Sequence, residues 1–218
     1  MMLAVLGMAL AAGADYGSAV RLANVAGGRE VEKIGVATVT RDEILRDLLR
    51  ASQSALAGQP PGLDKVLSRE DLAHELDSRR RLGQRVAFTN GCFDVLHAGH
   101  VQYLQEARAQ ADVLVVGLNS DAGVRALKGD DRPVHPAEAR ALVLAALQPV
   151  DYITIFDELT PLPLIEALRP DVLVKGADYR KDEVVGADVV EGYGGRVHLA
   201  ALREGYSTTR LLQRLQAA

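Results

Sequence analysis

From Arg85 onward, short apolar runs alternate with stretches whose apolar residues recur at helical spacing. The runs are Val86-Ala87-Phe88-Thr89, Val113-Leu114-Val115-Val116-Gly117, Tyr152-Ile153-Thr154-Ile155-Phe156, Val172-Leu173-Val174-Lys175 and Arg196-Val197-His198-Leu199. Helical patterns follow each one, over 100–110, 121–127 with 137–147, 161–168, 184–193 and 208–215. Continuous apolar strands separated by helices predict a five-stranded parallel sheet covered on both faces, an α/β, doubly wound (Rossmann-like) fold. Ligands of such sheets bind beyond the carboxyl ends of the strands, where the winding changes direction.

The chain ahead of this region reads differently. Residues 2–12 and 15–27 predict two Ala-rich helices broken at Gly13, and Val31 to Val39 looks extended. Thr40-Arg41-Asp42-Glu43 is a capping-box pattern that opens a helix reaching Arg50. Ser, Gln and Gly with the pair Pro60-Pro61 make 51–63 a linker by composition, and 64–81 is charged and amphipathic, a helix or two leading into the main domain. The expected division is therefore 1–50, 51–63 and 64–218.

Composition narrows the classes. A chain of 218 residues holds one sizeable domain plus a smaller attachment. It has no Trp and 4% aromatic residues, so its core must rest on Leu, Val, Ile and Ala. A net charge of −4 argues against nucleic acid and anionic membrane as partners, yet allows a local basic pocket for phosphate. Cys92 is the only cysteine, which excludes an internal disulfide or a cysteine-rich zinc site and fits a reducing, cytoplasmic compartment. The apolar stretch 1–12 lacks the preceding positive charge of a signal peptide, the first basic residue being Arg21, and is too short to span a bilayer. It reads as a buried helix.

The chemistry concentrates in Thr89-Asn90-Gly91-Cys92-Phe93-Asp94-Val95-Leu96-His97-Ala98-Gly99-His100, between the first strand and the first helix. Gly99 permits close approach of a ligand to the backbone. His97 and His100 fall around the first helical turn, where free N–H groups and the helix dipole favour an anion, so two imidazoles there can donate to a phosphate gaining charge. A metal reading needs a third ligand, and none stands nearby. The segment is neither Gly-x-Gly-x-x-Gly nor a Walker loop. Near the other end, Ser207-Thr208-Thr209 opens the last helix, where hydroxyls can cap it and face a triphosphate.

Residues 89–100, together with Arg203-Glu204-Gly205-Tyr206-Ser207-Thr208-Thr209, resemble the two signatures of the His-x-Gly-His nucleotidyltransferase superfamily. Four stretches together resemble heptose 1-phosphate adenylyltransferases. These are Phe88-Thr89-Asn90-Gly91-Cys92-Phe93-Asp94, Leu127-Lys128-Gly129 with Asp131-Arg132-Pro133-Val134, Asp171-Val172-Leu173-Val174-Lys175-Gly176 with Asp178-Tyr179, and Tyr206-Ser207-Thr208-Thr209. Ala111, Gly123, Leu159 and Ala177 depart from the pattern, and Ala177 flanks the sugar-side loop. Leu10-Ala11-Ala12-Gly13-Ala14, Arg21-Leu22-Ala23-Asn24 and 33–38 resemble the tail of a ribokinase-like sugar kinase. The chain begins after the place of that family's Gly-Ala-Gly-Asp motif, so 1–50 is expected to be a remnant without kinase activity.

The resemblance implies attack by a sugar 1-phosphate oxygen on the α-phosphorus of ATP, with release of pyrophosphate. The nucleophile is already an anion at neutral pH, so alignment and charge neutralisation replace a general base. The expected catalytic residues are His97, His100 and Lys128. The expected nucleotide contacts are Thr89, Asn90, Gly91, Phe93, Gly99, Arg132, Lys175, Ser207, Thr208 and Thr209. The sugar side is expected to use Asp94, Asn119 and Asp178. No metal is expected to be held by the protein; Mg2+ is expected with ATP, on phosphate oxygens and water.

Bland readings stand beside several of these. Lys128 could be merely solvated, Arg132 could form a local salt bridge, and Asp94 and Asp178 could cap turns. Lys175 ends a buried strand at the ligand edge, where an unpartnered charge is costly. Arg140 could reach inward, though an exposed helix face is the simpler account. Cys92 reads as a small space-filler. Two other functions stay open, a cytidylyltransferase acting on an alcohol phosphate such as glycerol 3-phosphate, and a catalytically idle nucleotide-binding module. A homo-oligomer is also left open.

Overall fold

The computed structural model describes residues 2–31, 39–45, 47–48, 63–177 and 180–201. The chain divides into two compact units, 1–64 and 65–218. In the first, helices α1 (Met2–Ala11) and α2 (Tyr16–Val31) form a hairpin around Val5, Ala9, Ala19, Ala23 and Ala26. α2 runs past the end expected near residue 27. Gly27 is tolerated inside the helix because the Met2 side chain fills the place of its missing Cβ. Val31 therefore closes a helix instead of opening an extended segment, and 32–38 lie outside the described residues. The capping box at Thr40 is formed: Thr40 N–H donates to Glu43 Oε2 at 2.7 Å and Glu43 N–H to Thr40 Oγ1 at 3.3 Å. The helical residues it opens are held to α2 by two 2.6 Å hydrogen bonds from Arg29 to Asp47.

The second unit is built on strands β1 (Val86–Gly91), β2 (Val113–Asn119), β3 (Tyr152–Phe156), β4 (Val172–Gly176) and β5 (Arg196–Ala200). All pairings are parallel, in the order β3-β2-β1-β4-β5. Alternation along each strand divides the core. Ala87, Leu114, Val116, Leu118, Val172 and Val174 face α4 (Ala98–Arg108) and α6 (Ala137–Ala145). Val86, Phe88, Val113, Val115 and Leu173 face α3 (Arg69–Arg81), α7 (Leu162–Leu168) and α8 (Ala187–Gly192). The remaining helix, α5 (Asp121–Lys128), follows β2. Helices on both faces of a 3-2-1-4-5 sheet make the doubly wound architecture expected from the pattern.

Local chemistry sets the helix ends. Ser68 Oγ caps α3 by accepting from Asp71 N–H, and Ser120 Oγ caps α5 by accepting from Gly123 N–H at 3.2 Å. α3 has Glu70 and Asp71 in its first turn and Arg79, Arg80 and Arg81 in its last, opposing the helix dipole at both ends. α8 begins at Ala187, later than the expected 184, because Gly186 at φ 86° interrupts the helix.

Candidate active site

β1 and β4 are neighbours, but the helices that follow them pack on opposite faces. In doubly wound sheets such a switch point makes the loops diverge, and the crevice between them, beyond the carboxyl ends of the strands, is where ligands bind. The segment 89–100 forms one wall. Thr89 is fully buried, and Tyr103 O–H donates to Val174 O at 3.1 Å, so the 2.6 Å contact between Tyr103 and Thr89 has Thr89 as donor. Its hydroxyl thus braces β1, α4 and β4 from inside. Asn90 Oδ1 accepts from Lys175 Nζ at 2.5 Å across the switch point, which gives the Lys175 charge at the end of β4 a polar partner.

Gly91 leaves room for the Phe93 ring, which would lie 3.1 Å from a Cβ there. Phe93 has φ 42°, a left-handed value unusual for a residue with a side chain. Its ring lies 5.5 Å from that of His100. His97 is the N-cap of α4, Gly99 is the second helical residue and His100 the third. The two imidazoles stack at 3.9 Å and 23°.

His97 N–H donates to His100 Nδ1 at 3.4 Å, so the proton of a neutral His100 belongs on Nε2. Burial lowers the pKa of His97. Burial, then the charges of His97 and Lys128, push His100 down to about 4. Near neutral pH the pair is therefore uncharged and offers N–H donors at a helix N-terminus. Burial raises the Cys92 thiol despite Lys128 and Arg140, which keeps it protonated and fits the space-filling role.

Lys128 is exposed at the end of α5, and its field reaches both His100 and Cys92. Asp94 is buried and accepts from Val134 N–H at 2.8 Å, His135 N–H at 3.1 Å and Arg132 Nε at 2.5 Å. Its pKa is lowered: burial opposes ionisation, and these three donors outweigh it. Of the two readings of Asp94, the carboxylate acts here as a turn clasp. Arg132 takes the local salt bridge, and its Nη2 is buried without a hydrogen-bond partner among the described residues. Asn119 is buried at the end of β2.

Arg140 corrects the expectation of an exposed helix face. It is 2% exposed and points into the carboxyl end of the sheet. Asp178, Ser207, Thr208 and Thr209 lie outside the described residues. Among the described residues no group of three or more His, Cys, Asp or Glu is arranged to hold a metal ion, and no helix is long and apolar enough to cross a membrane.

This fold defines a class, the doubly wound α/β domains with a switch point between β1 and β4. The chain belongs to the cytidylyltransferase-like family, whose model matches residues 88–214. It is 52% identical over 216 residues to a bifunctional protein HldE of Geobacter sulfurreducens, covering 99% of this chain and 43% of that protein. It is 51% identical over 214 residues to that of Caulobacter vibrioides, covering 98% and 43%. The chain thus spans less than half the length of these relatives. Pantoate-beta-alanine ligase from Francisella tularensis shares the fold, with a TM-score of 0.51 and 13% identity over 69% of this chain and 76% of that one. The family and these relatives support a nucleotidyltransferase.

Proposed function

We propose that this chain transfers AMP from ATP to a sugar 1-phosphate, heptose 1-phosphate in the first instance, and releases pyrophosphate. The sugar-phosphate oxygen bonds to the α-phosphorus as the bond from that phosphorus to the α–β bridging oxygen breaks, and pyrophosphate leaves with the bridging oxygen. The observation that carries this reading is the neutral histidine pair on the N-terminus of α4, at the switch point of the sheet. Neutral imidazoles bind an anionic ground state only modestly, and they strengthen as charge grows on the α-phosphate in the transition state.

Lys128 and the uncommitted arm of Arg132 supply positive charge for the triphosphate. Lys175, Asn90, Gly91, Phe93 and Gly99 shape the nucleotide side. Ser207, Thr208 and Thr209 are assigned to the β- and γ-phosphates on the motif resemblance alone, as Asp178 is to the sugar. Mg2+ fits as an ion carried by ATP, because Asp94, the buried carboxylate of segment 89–100, is already engaged by three donors among the described residues. When bound, it would neutralise the triphosphate. The sugar nucleotide formed would supply lipopolysaccharide core synthesis in the cytoplasm.

The test is pyrophosphate release from each nucleoside triphosphate with a panel of sugar and alcohol phosphates. ATP with heptose 1-phosphate should give the highest kcat/KM, and His100→Ala should lower kcat about a hundred- to a thousandfold with a smaller change in ATP binding. The family's description, cytidylyltransferase-like, favours a second reading, cytidylyl transfer, with an alcohol phosphate as the acceptor to test. Preference for CTP with glycerol 3-phosphate would replace the first reading with it. Undiminished turnover in His100→Ala would remove that residue from the chemistry.

A further inference from the structure

Where a sheet ladder stops, its carbonyls still need donors. At the carboxyl ends of β1 and β2 the carbonyls of Cys92 and Asn119 are met by one side chain, which also meets His135 O in the strap before α6. Arg140 Nη1 donates to Cys92 O at 2.5 Å, and Nη2 donates to Asn119 O at 2.9 Å and to Asp121 Oδ1 at 2.7 Å. Nε donates to His135 O at 2.9 Å. Burying a guanidinium is costly unless its donors are fully partnered. For stability alone, an apolar side chain of similar volume often does as well or better. It could not satisfy three carbonyls.

The residue after Cys92 is Phe93, whose left-handed backbone persists only where its surroundings over-determine it. Arg140 fixes the carbonyl immediately before Phe93. Asp94 fixes the chain immediately after it, through Val134 and His135. His135 joins the two devices, with its N–H on Asp94 and its carbonyl on Arg140. The kink they hold sets the Phe93 ring beside His100.

We propose that Arg140 is a positioning residue, which locks the Phe93 kink and the start of α4 so that His97 and His100 face the crevice. It touches no reactant itself. The kinetic consequence rests on the nucleotidyl-transfer reading, and the structural consequence does not.

Two variants of the full chain test this. Arg140→Lys keeps the charge but loses the planar fork. Arg140→Ala leaves a space that ethylguanidinium fits. Both should lower kcat for pyrophosphate release about a hundredfold, the scale of a 1 Å misplacement, with little change in KM for ATP. Ethylguanidinium should restore turnover in Arg140→Ala and not in Arg140→Lys. Amide hydrogen exchange should accelerate at 92–97 and 134–136 while strands β1 and β2 keep their protection. Should Arg140→Ala not fold, Arg140→Lys carries the kinetic and exchange measurements.

Unchanged kcat and exchange in Arg140→Lys would overturn the proposal. So would acceleration spread evenly over the sheet, which marks a purely stabilising side chain. If the intact chain releases no pyrophosphate from any nucleotide, the functional reading fails, and the exchange pattern still decides the role of Arg140.

Discussion

At the scale of single residues, the stacked histidines tie stability to pH. Two imidazoles 3.9 Å apart repel when both are protonated, and burial already disfavours the first proton. His100 has a pKa of about 4 in the folded chain, against an ordinary value of 6.5. Between these values the unfolded chain binds more protons than the folded one. The contribution of His100 is therefore complete above pH 6.5, declines as the pH falls towards 4 and is lost below it. His100→Gln should flatten the fall in unfolding free energy over this window by at most one proton, as measured by urea titrations at several pH values. An unchanged slope would place the proton uptake elsewhere. The helix-start pattern was enough to place His97 and His100 around the first turn of α4, where they prove to be its N-cap and third residue. Arg140 was not legible in the same way. Its carbonyl partners lie 5, 21 and 48 positions away along the chain, and a carbonyl looks the same in every residue, so no local pattern marks them.

At the scale of elements, three aspartates standing one residue before a strand staple that strand to its neighbour. Asp112 Oδ2 accepts from Arg85 N–H at 2.8 Å, Asp151 Oδ2 from Leu114 N–H at 2.7 Å and Asp171 Oδ2 from Val86 N–H at 2.7 Å. Parallel strands lack a tight turn to fix their register, and these carboxylates do so at the amino ends, away from the crevice. Asp171→Ala leaves the Val86 N–H in a buried site without that acceptor and should cost about 1–3 kcal/mol, read as a lower midpoint in urea with an unchanged slope. No loss of stability would mean that the N–H finds another acceptor. All five strands were legible from their apolar runs. Four of them extend one or two residues further at the carboxyl end, as β2 does to Asn119. Parallel pairing carries Asn90 opposite Gly117 and Gly91 opposite Leu118, although these polar and glycine residues do not look like strand in isolation. Strand order depends on which helix covers which face, and that is settled by packing over the whole sheet.

At the scale of the whole molecule, each unit has its own interior. The first closes on small side chains between α1 and α2, with Ala19 and Ala26 fully buried, and on the Arg29–Asp47 pair. The second has two complete layers of core around its sheet. The described residues of the crevice, from Thr89 to Lys175, belong to the second unit, and so do the contacts that hold them. A unit with its own core and its own site should fold and work without the other. A chain lacking residues 1–62 should keep kcat and the KM for ATP near those of the full chain. It should also unfold in one cooperative transition, since it retains both layers of the sheet. Steady-state kinetics and urea unfolding of the two chains side by side make the comparison. A large loss of turnover with cooperative unfolding intact would mean that the first unit contributes to the chemistry. Loss of the cooperative transition itself would mean that the sheet needs the first unit in order to fold.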